Sequence, residues 1–149
     1  MTMLDRVKLS YAEAAAIIAK PTVYQFAGGH NVEFAPSLSY ANGIGAKGAG
    51  YDCSAFSSVV LRAGGILSIP RALLPLDTAD FLTWGLPGRG EFLTVWVRND
   101  AAENGTHHMF LEFHGFPNSF CEAPHTGALC HWFVGADTTS FTPRHWRGT

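Results

Sequence analysis

The hydrophobic pattern of this chain changes near Glu91, and that change constrains the fold more than any other feature. Beyond this residue, apolar runs typical of buried strands occupy 92–97 and 108–113. Shorter extended runs follow near 118–123, 131–134 and 140–145. The first part of the chain instead shows helical spacing. Helices followed by consecutive strands predict an α+β domain whose helices pack on an antiparallel sheet.

Three helices are predicted before the strands. The first should begin at Ser10, which forms a capping box with the glutamate three residues later, and should stop before Pro21. The second covers about 53–63, and a shorter third is predicted near 77–84. Residues 21–50 show no sustained period, which predicts a loop with short extended pieces.

Composition narrows the possible classes of protein. The chain has 149 residues, of which 47% are hydrophobic and 15% charged, as expected for a globular chain. It shows neither an internal repeat nor a linker, so we expect one domain over 1–149 and a monomer. A formal charge of −2 gives no electrostatic case for nucleic acid or an anionic membrane. Residues 1–20 do not have the pattern of a secretory signal, and no apolar run has the ~20 residues that span a membrane.

The segment from Gly50 to Phe56 carries the strongest chemical signal. It closes a stretch with glycines at 43, 45, 48 and 50, and it opens the second predicted helix, which ends at Gly64. Cys53 would therefore lie in the first turn of a helix, where free N–H groups and the helix dipole favour a thiolate. The alternative is that Cys53 is a small buried apolar residue.

Alternation along the strand over 108–113 selects a partner for that cysteine. Met109, Leu111 and Phe113 share one face, which should be the packed one, while His108 lies on the other. If the helix of Cys53 lies across the face bearing His108, the imidazole can reach the sulfur as its base. Glu122, on the next extended run, is a candidate to orient that imidazole; the alternative is a solvated surface glutamate.

Other uses of these residues have weaker support. His108, Glu112 and His114 share a strand face, but alternate residues lie nearly 7 Å apart, which is awkward for one metal ion. Neither zinc-binding spacings nor a phosphate-binding loop occurs, so no metal or cofactor is expected. Cys121 and Cys130 could form a disulfide, although their spacing alone does not show it, and three cysteines cannot all pair.

These motifs resemble the NlpC-type cell-wall peptidases, which are papain-like cysteine endopeptidases that cut bacterial peptidoglycan stem peptides. The hallmark Asp-Cys-Ser-Gly-Phe of that family reads Asp-Cys-Ser-Ala-Phe over 52–56, with alanine at position 55. The segment 24–30, Tyr-Gln-Phe-Ala-Gly-Gly-His, is similar to an upstream family element, and 108–113 is similar to the histidine-bearing strand. The segment 75–88 resembles actinobacterial and actinobacteriophage members.

The resemblance implies a papain-like fold and a site in which Cys53 attacks a peptide carbonyl and His108 protonates the leaving amine. Glu122 falls where the family has its third catalytic residue, although histidine, asparagine or glutamine is more usual there. Tyr24, Asp52 and Ser54 are expected at the substrate site, with Asp52 acting mainly to start the helix.

A wall-directed enzyme without a secretory signal suggests a bacteriophage lysin or the peptidase piece of a tail protein, acting at the bacterial cell wall. Two alternatives stay open. One is an amidase or transferase on the same scaffold, and the other is a catalytically silent wall-binding or virion structural module.

Overall fold

A six-stranded antiparallel sheet forms one layer of the protein, and helices cover one of its faces. The computed structural model describes residues 1–38, 48–68, 73–100 and 106–149. Gly43 and Gly45 of the predicted glycine-rich stretch lie outside these ranges. The helices and strands, in chain order, are α1 (Met3–Ala19), β1 (Val23–Tyr24), β2 (Gly50–Tyr51), α2 (Cys53–Ala63), α3 (Thr78–Phe81), β3 (Leu86–Pro87), β4 (Leu93–Asp100), β5 (Thr106–Phe113), β6 (Phe120–Glu122), β7 (His131–Phe133) and β8 (Thr142–His145).

The strands of the sheet lie in the order β3-β8-β4-β5-β6-β7, and each neighbouring pair is antiparallel. The short strands β1 and β2 form a separate parallel pair ahead of α2. The structure thus has the predicted order of helices and strands and adds two-residue strands that are too short to show a period. None of the helices in the described ranges combines the length and hydropathy of a membrane-spanning helix.

The start of α1 differs from the prediction. The helix begins at Met3, because Thr2 accepts a hydrogen bond from the Asp5 N–H and the Asp5 carboxylate accepts one from the Thr2 N–H. This capping box precedes the one predicted at Ser10. Ser10 instead lies in the middle of α1 and is buried. The helix ends at Ala19, as predicted.

The two faces of the sheet carry different clusters. Met109, Leu111 and Phe113 are fully buried in one core with α1 and α2, as alternation along β5 predicts. The opposite face carries a cluster of aromatic rings in mutual contact, formed by Trp96, Phe110, Phe120, Phe133 and Phe141. Cys121 and Cys130 are both buried as free thiols, so the possible disulfide is not formed.

The paired glycines ahead of α2 allow a close approach of backbone segments. Gly29 has a φ of +85°, a conformation that side chains with a Cβ rarely adopt. A Cβ at this position would also overlap the ring of Tyr51 and would lie 2.9 Å from the Cβ of Ala55. Gly29 therefore seats the segment that precedes α2 against the first turn of that helix.

Replacing Gly29 with alanine should lower the free energy of unfolding by about 3 kcal/mol, because backbone strain and overpacking add. Urea denaturation followed by tryptophan fluorescence measures the loss. Gly115→Ala is the matched control, since Gly115 also has a positive φ, +79°, but faces open space. It should cost about 1 kcal/mol. Equal losses in the two variants would contradict the packing argument.

Candidate active site

Cys53 occupies the first position of α2, and Asp52 caps that helix. The Ala55 N–H donates a hydrogen bond of 2.8 Å to Oδ1 of Asp52. Asp52 thus starts the helix, as the sequence predicts. Ala55 stands where the motif that this segment resembles has glycine. Its methyl group is fully buried, and the first turn of α2 forms around it.

The thiol of Cys53 lies where the helix meets β5. The backbone N–H groups of Met109, Ser54 and Cys53 itself act on the sulfur and lower the pKa of the thiol. Burial, followed by the charge of Asp52, outweighs them and raises that pKa to about 12, because only 6% of the residue is exposed. The helix N-terminus therefore favours the thiolate, as predicted, but does not by itself produce it.

The structure corrects one condition in the prediction of a Cys53–His108 pair. Helix α2 does not lie across the face bearing His108; it packs on the opposite face, formed by Met109, Leu111 and Phe113. That face offers the apolar side chains that a helix needs. The Met109 N–H, which belongs to the peptide unit joining His108 to Met109, nevertheless acts on the sulfur and lowers the pKa of the thiol. Cys53 and Met109 also belong to one buried cluster, so the start of α2 packs near the start of β5.

Glu122 binds His108 on the outer face of the sheet. Nε2 of His108 lies 2.6 Å from Oε2 of Glu122, and both side chains are largely shielded, with 20% and 15% exposed. Because an ionised carboxylate only accepts hydrogen bonds, Nε2 carries a proton. Nδ1 is then the ring nitrogen that can exchange a proton with a thiol.

His131 is a further member of this cluster that the sequence analysis missed. Its Nε2 donates to Oε1 of Glu122 across 2.9 Å, because β6 and β7 pair Glu122 with His131. Burial alone would raise the pKa of Glu122, but the hydrogen bonds and charges of the two histidines outweigh burial and lower it. The sequence signal for His131 was its place in the extended run 131–134. That signal identifies a partner of Glu122 only when the register between β6 and β7 is known.

Tyr24 and Ser54, which the resemblance placed at the substrate site, both lie near the start of α2. Burial raises the pKa of the Tyr24 phenol, and the charges of Cys53 and Asp52 add to the effect. Ser54 is buried, and its hydroxyl lies 3.2 Å from Oδ1 of Asp52. The serine hydroxyl thus contributes to the helix start.

His30 is a second residue that the sequence analysis did not select. Its Nε2 lies 2.9 Å and 2.8 Å from the two carboxylate oxygens of Asp52. The signal was its place directly after the paired glycines of the segment 24–30. Across the ranges that the structure describes, no group of three or more His, Cys, Asp or Glu side chains is arranged to hold a metal ion.

Solved structures, including two from Mycobacterium tuberculosis, share this fold. A hypothetical invasion protein matches with a TM-score of 0.64 and 17% identity over 96% of this chain. The peptidoglycan hydrolase RipB matches with a TM-score of 0.60 and 20% identity over 95% of this chain. The resuscitation-promoting-factor-interacting protein RipA, in a form mutated at a cysteine, matches with a TM-score of 0.62 and 17% identity over 96%.

These similarities confirm the predicted fold. The chain has the α+β fold of the NlpC-type cell-wall peptidases, with an N-terminal helix and an antiparallel sheet. It spans 63% of the invasion protein and of RipA, and 65% of RipB, so it corresponds to less than two thirds of each. A scan of protein-family models finds no match to the sequence, and a search of curated proteins finds none.

Proposed function

We propose that this protein is a cysteine endopeptidase that hydrolyses stem peptides of bacterial peptidoglycan. The observation that carries the proposal is the place of Cys53 at the first position of α2, in one buried cluster with Met109, the residue that follows His108 on β5. The bond of 2.6 Å between His108 and Glu122 supports it by orienting the base. The substrate class is supported by the fold shared with the peptidoglycan hydrolase RipB.

The chemistry proceeds in two half-reactions. Nδ1 of His108 takes the proton of the Cys53 thiol as Sγ attacks the peptide carbonyl, which forms the S–C bond and a tetrahedral oxyanion. The N–H groups at the start of α2 stabilise that oxyanion. When the C–N bond breaks, His108 gives its proton to the leaving amine and a thioester remains. Water, deprotonated by His108, then attacks the thioester, releases the acid product and restores the thiol.

The raised pKa of Cys53 determines how this step begins. Since burial favours the neutral thiol, proton transfer to His108 accompanies the attack rather than preceding it as a stable ion pair. Glu122 stabilises the imidazolium that forms, because its carboxylate bonds to Nε2. Tyr24 and the capping pair Asp52 and Ser54 border the thiol, and we assign Tyr24 to contact with the substrate.

The proposed setting is the bacterial cell wall, reached as a phage lysin or as part of a tail protein. The test is incubation of the chain with purified diaminopimelate-type peptidoglycan, followed by mass spectrometry of the released fragments. New amino termini within stem peptides would establish an endopeptidase and identify the bond. Ligation of an added amine would favour a transferase on the same scaffold. Binding without new fragments would favour a wall-binding module.

Replacing Glu122 with alanine should slow turnover about 10- to 100-fold without abolishing it, because His108 keeps its place on β5 but loses the carboxylate that orients its ring. Initial rates of stem-peptide release measure this. Glu122→Gln is the matched variant, since its amide is similar in size but carries no charge. An unchanged rate in Glu122→Ala would move the orienting role to another group.

A further inference from the structure

A second imidazole–carboxylate pair lies at the start of α2, where Asp52 directly precedes Cys53. Nε2 of His30 contacts both oxygens of Asp52, at 2.9 Å and 2.8 Å, and lies 3.3 Å from the Ser54 hydroxyl. The pair is sheltered, with 26% of the His30 side chain and 15% of the Asp52 side chain exposed. The proposed mechanism does not use His30.

The surroundings of His30 favour its charged form. Besides Asp52, the backbone carbonyl of Pro75 and the charge of the Asp77 carboxylate act on the ring and raise its pKa. The Nε2–H that faces the two carboxylate oxygens of Asp52 binds them most strongly when the ring is an imidazolium. Burial alone would lower the pKa of His30, but these partners outweigh burial and raise it.

The charge of Asp52 is unfavourable for the nucleophile. Asp52 directly precedes Cys53, and its carboxylate raises the pKa of the thiol. The carboxylate cannot turn away, because the Ala55 N–H and His30 hold it at the start of α2. A negative charge fixed in this position opposes the development of a thiolate, unless a positive charge lies beside it.

We propose that His30 is a positioning residue whose imidazolium neutralises the Asp52 carboxylate and so permits Cys53 to become a nucleophile. This inference rests on the proposed role of Cys53. The charged and titratable groups that surround the arrangement are Asp52 and Asp77 around His30, and Asp52 and Tyr24 around Cys53, together with His108, the base of the proposed mechanism. The pair thus allows Asp52 to cap the helix without holding a net negative charge against the sulfur.

The test is the rate at which iodoacetamide alkylates Cys53, measured by peptide mass spectrometry between pH 5.5 and 9.5. This readout needs no peptidoglycan. In His30→Gln, the amide still reaches Asp52 but carries no charge. We expect alkylation below pH 7 to fall about tenfold, as for a shift of one pKa unit, and the difference from wild type to vanish as wild-type His30 deprotonates at higher pH.

The double variant His30→Gln with Asp52→Asn separates charge from structure. Asparagine caps helices about as well as aspartate, so α2 keeps its start while the uncompensated charge is removed. We expect the alkylation rate below pH 7 to return to near the wild-type value. A merely structural role would instead make the double variant slower than His30→Gln. His125→Gln, at an exposed histidine, is the control for loss of a histidine and should match wild type.

A rate in His30→Gln that equals wild type, or that falls equally at every pH, would overturn the proposal. If His30→Gln does not fold, the Asp52→Asn single variant decides, since the proposal requires that its alkylation below pH 7 be no slower than wild type. The expected pH-dependent loss without any stem-peptide cleavage would sustain the role of His30 and reject the proposed function. Cleavage with a pH-independent loss would do the reverse.

Discussion

Replacing Cys53 with alanine should abolish release of stem-peptide fragments, with a loss of about 10⁴-fold or more, because no thioester can form without the sulfur. The N–H groups of α2 and the substrate contacts remain, so weak binding of the wall polymer should persist. The measurement is the initial rate of fragment release by wild type and variant at equal concentration. Alkylation of the wild-type thiol before the assay should give the same loss.

The control for this variant is a second buried thiol. Cys130 is only 2% exposed, as sheltered as Cys53, but it lies on the segment before β7 and outside the proposed site. Cys130→Ala should keep activity even if its thermal midpoint falls, whereas Cys53→Ala should lose activity while its circular dichroism stays unchanged. Full hydrolysis by Cys53→Ala would end the proposed mechanism.

Replacing His108 with glutamine should reduce turnover by about 10³-fold, because the amide can donate to Glu122 but cannot accept the thiol proton. The variant therefore keeps a hydrogen bond to Glu122, and the loss of turnover measures the absence of the base. The remaining rate of the variant should rise with pH as the thiol ionises. Its pH–rate profile should lack the part that depends on the imidazole of His108. A full pH–rate profile of both proteins measures the effect.

His107→Gln is the matched control for that experiment. His107 adjoins His108 on β5, but its side chain is exposed. It should retain wild-type turnover and the wild-type pH profile. If His107→Gln is the slower variant, the base has been assigned to the wrong neighbour. If both variants keep full activity, no histidine of this strand acts as the base.

Local patterns were sufficient for most of the fold. The strands β4 and β5 were predicted from their long apolar runs. Helix α2 was predicted at about 53–63, where the structure has it, because its apolar pattern begins after Asp52 and ends at Gly64. The first helix was placed too late, since two capping boxes compete in the sequence and the one at Thr2 determines the start. Short strands such as β3 depend on their partners, and no local pattern distinguishes them.

The arrangement of side chains around the thiol depends more on tertiary structure. Alternation along the strands was enough to select His108 and Glu122 as candidates. The hydrogen bond between His131 and Glu122 forms only because β6 pairs with β7. The partnership of His30 with Asp52 joins residues on different segments, which no spacing in the sequence predicts.

The sequence by itself determined that Cys53 begins a helix, that strands follow helices, and which face of β5 is packed, because each of these depends on residues within a few positions of one another. The tertiary structure alone decided how strongly the thiol is buried and which charged groups act on it. It also decided that the Glu122 carboxylate binds both His108 and His131. The Asp52 carboxylate, next to Cys53, binds His30. These properties arise from strand register and packing, which act between distant parts of the chain.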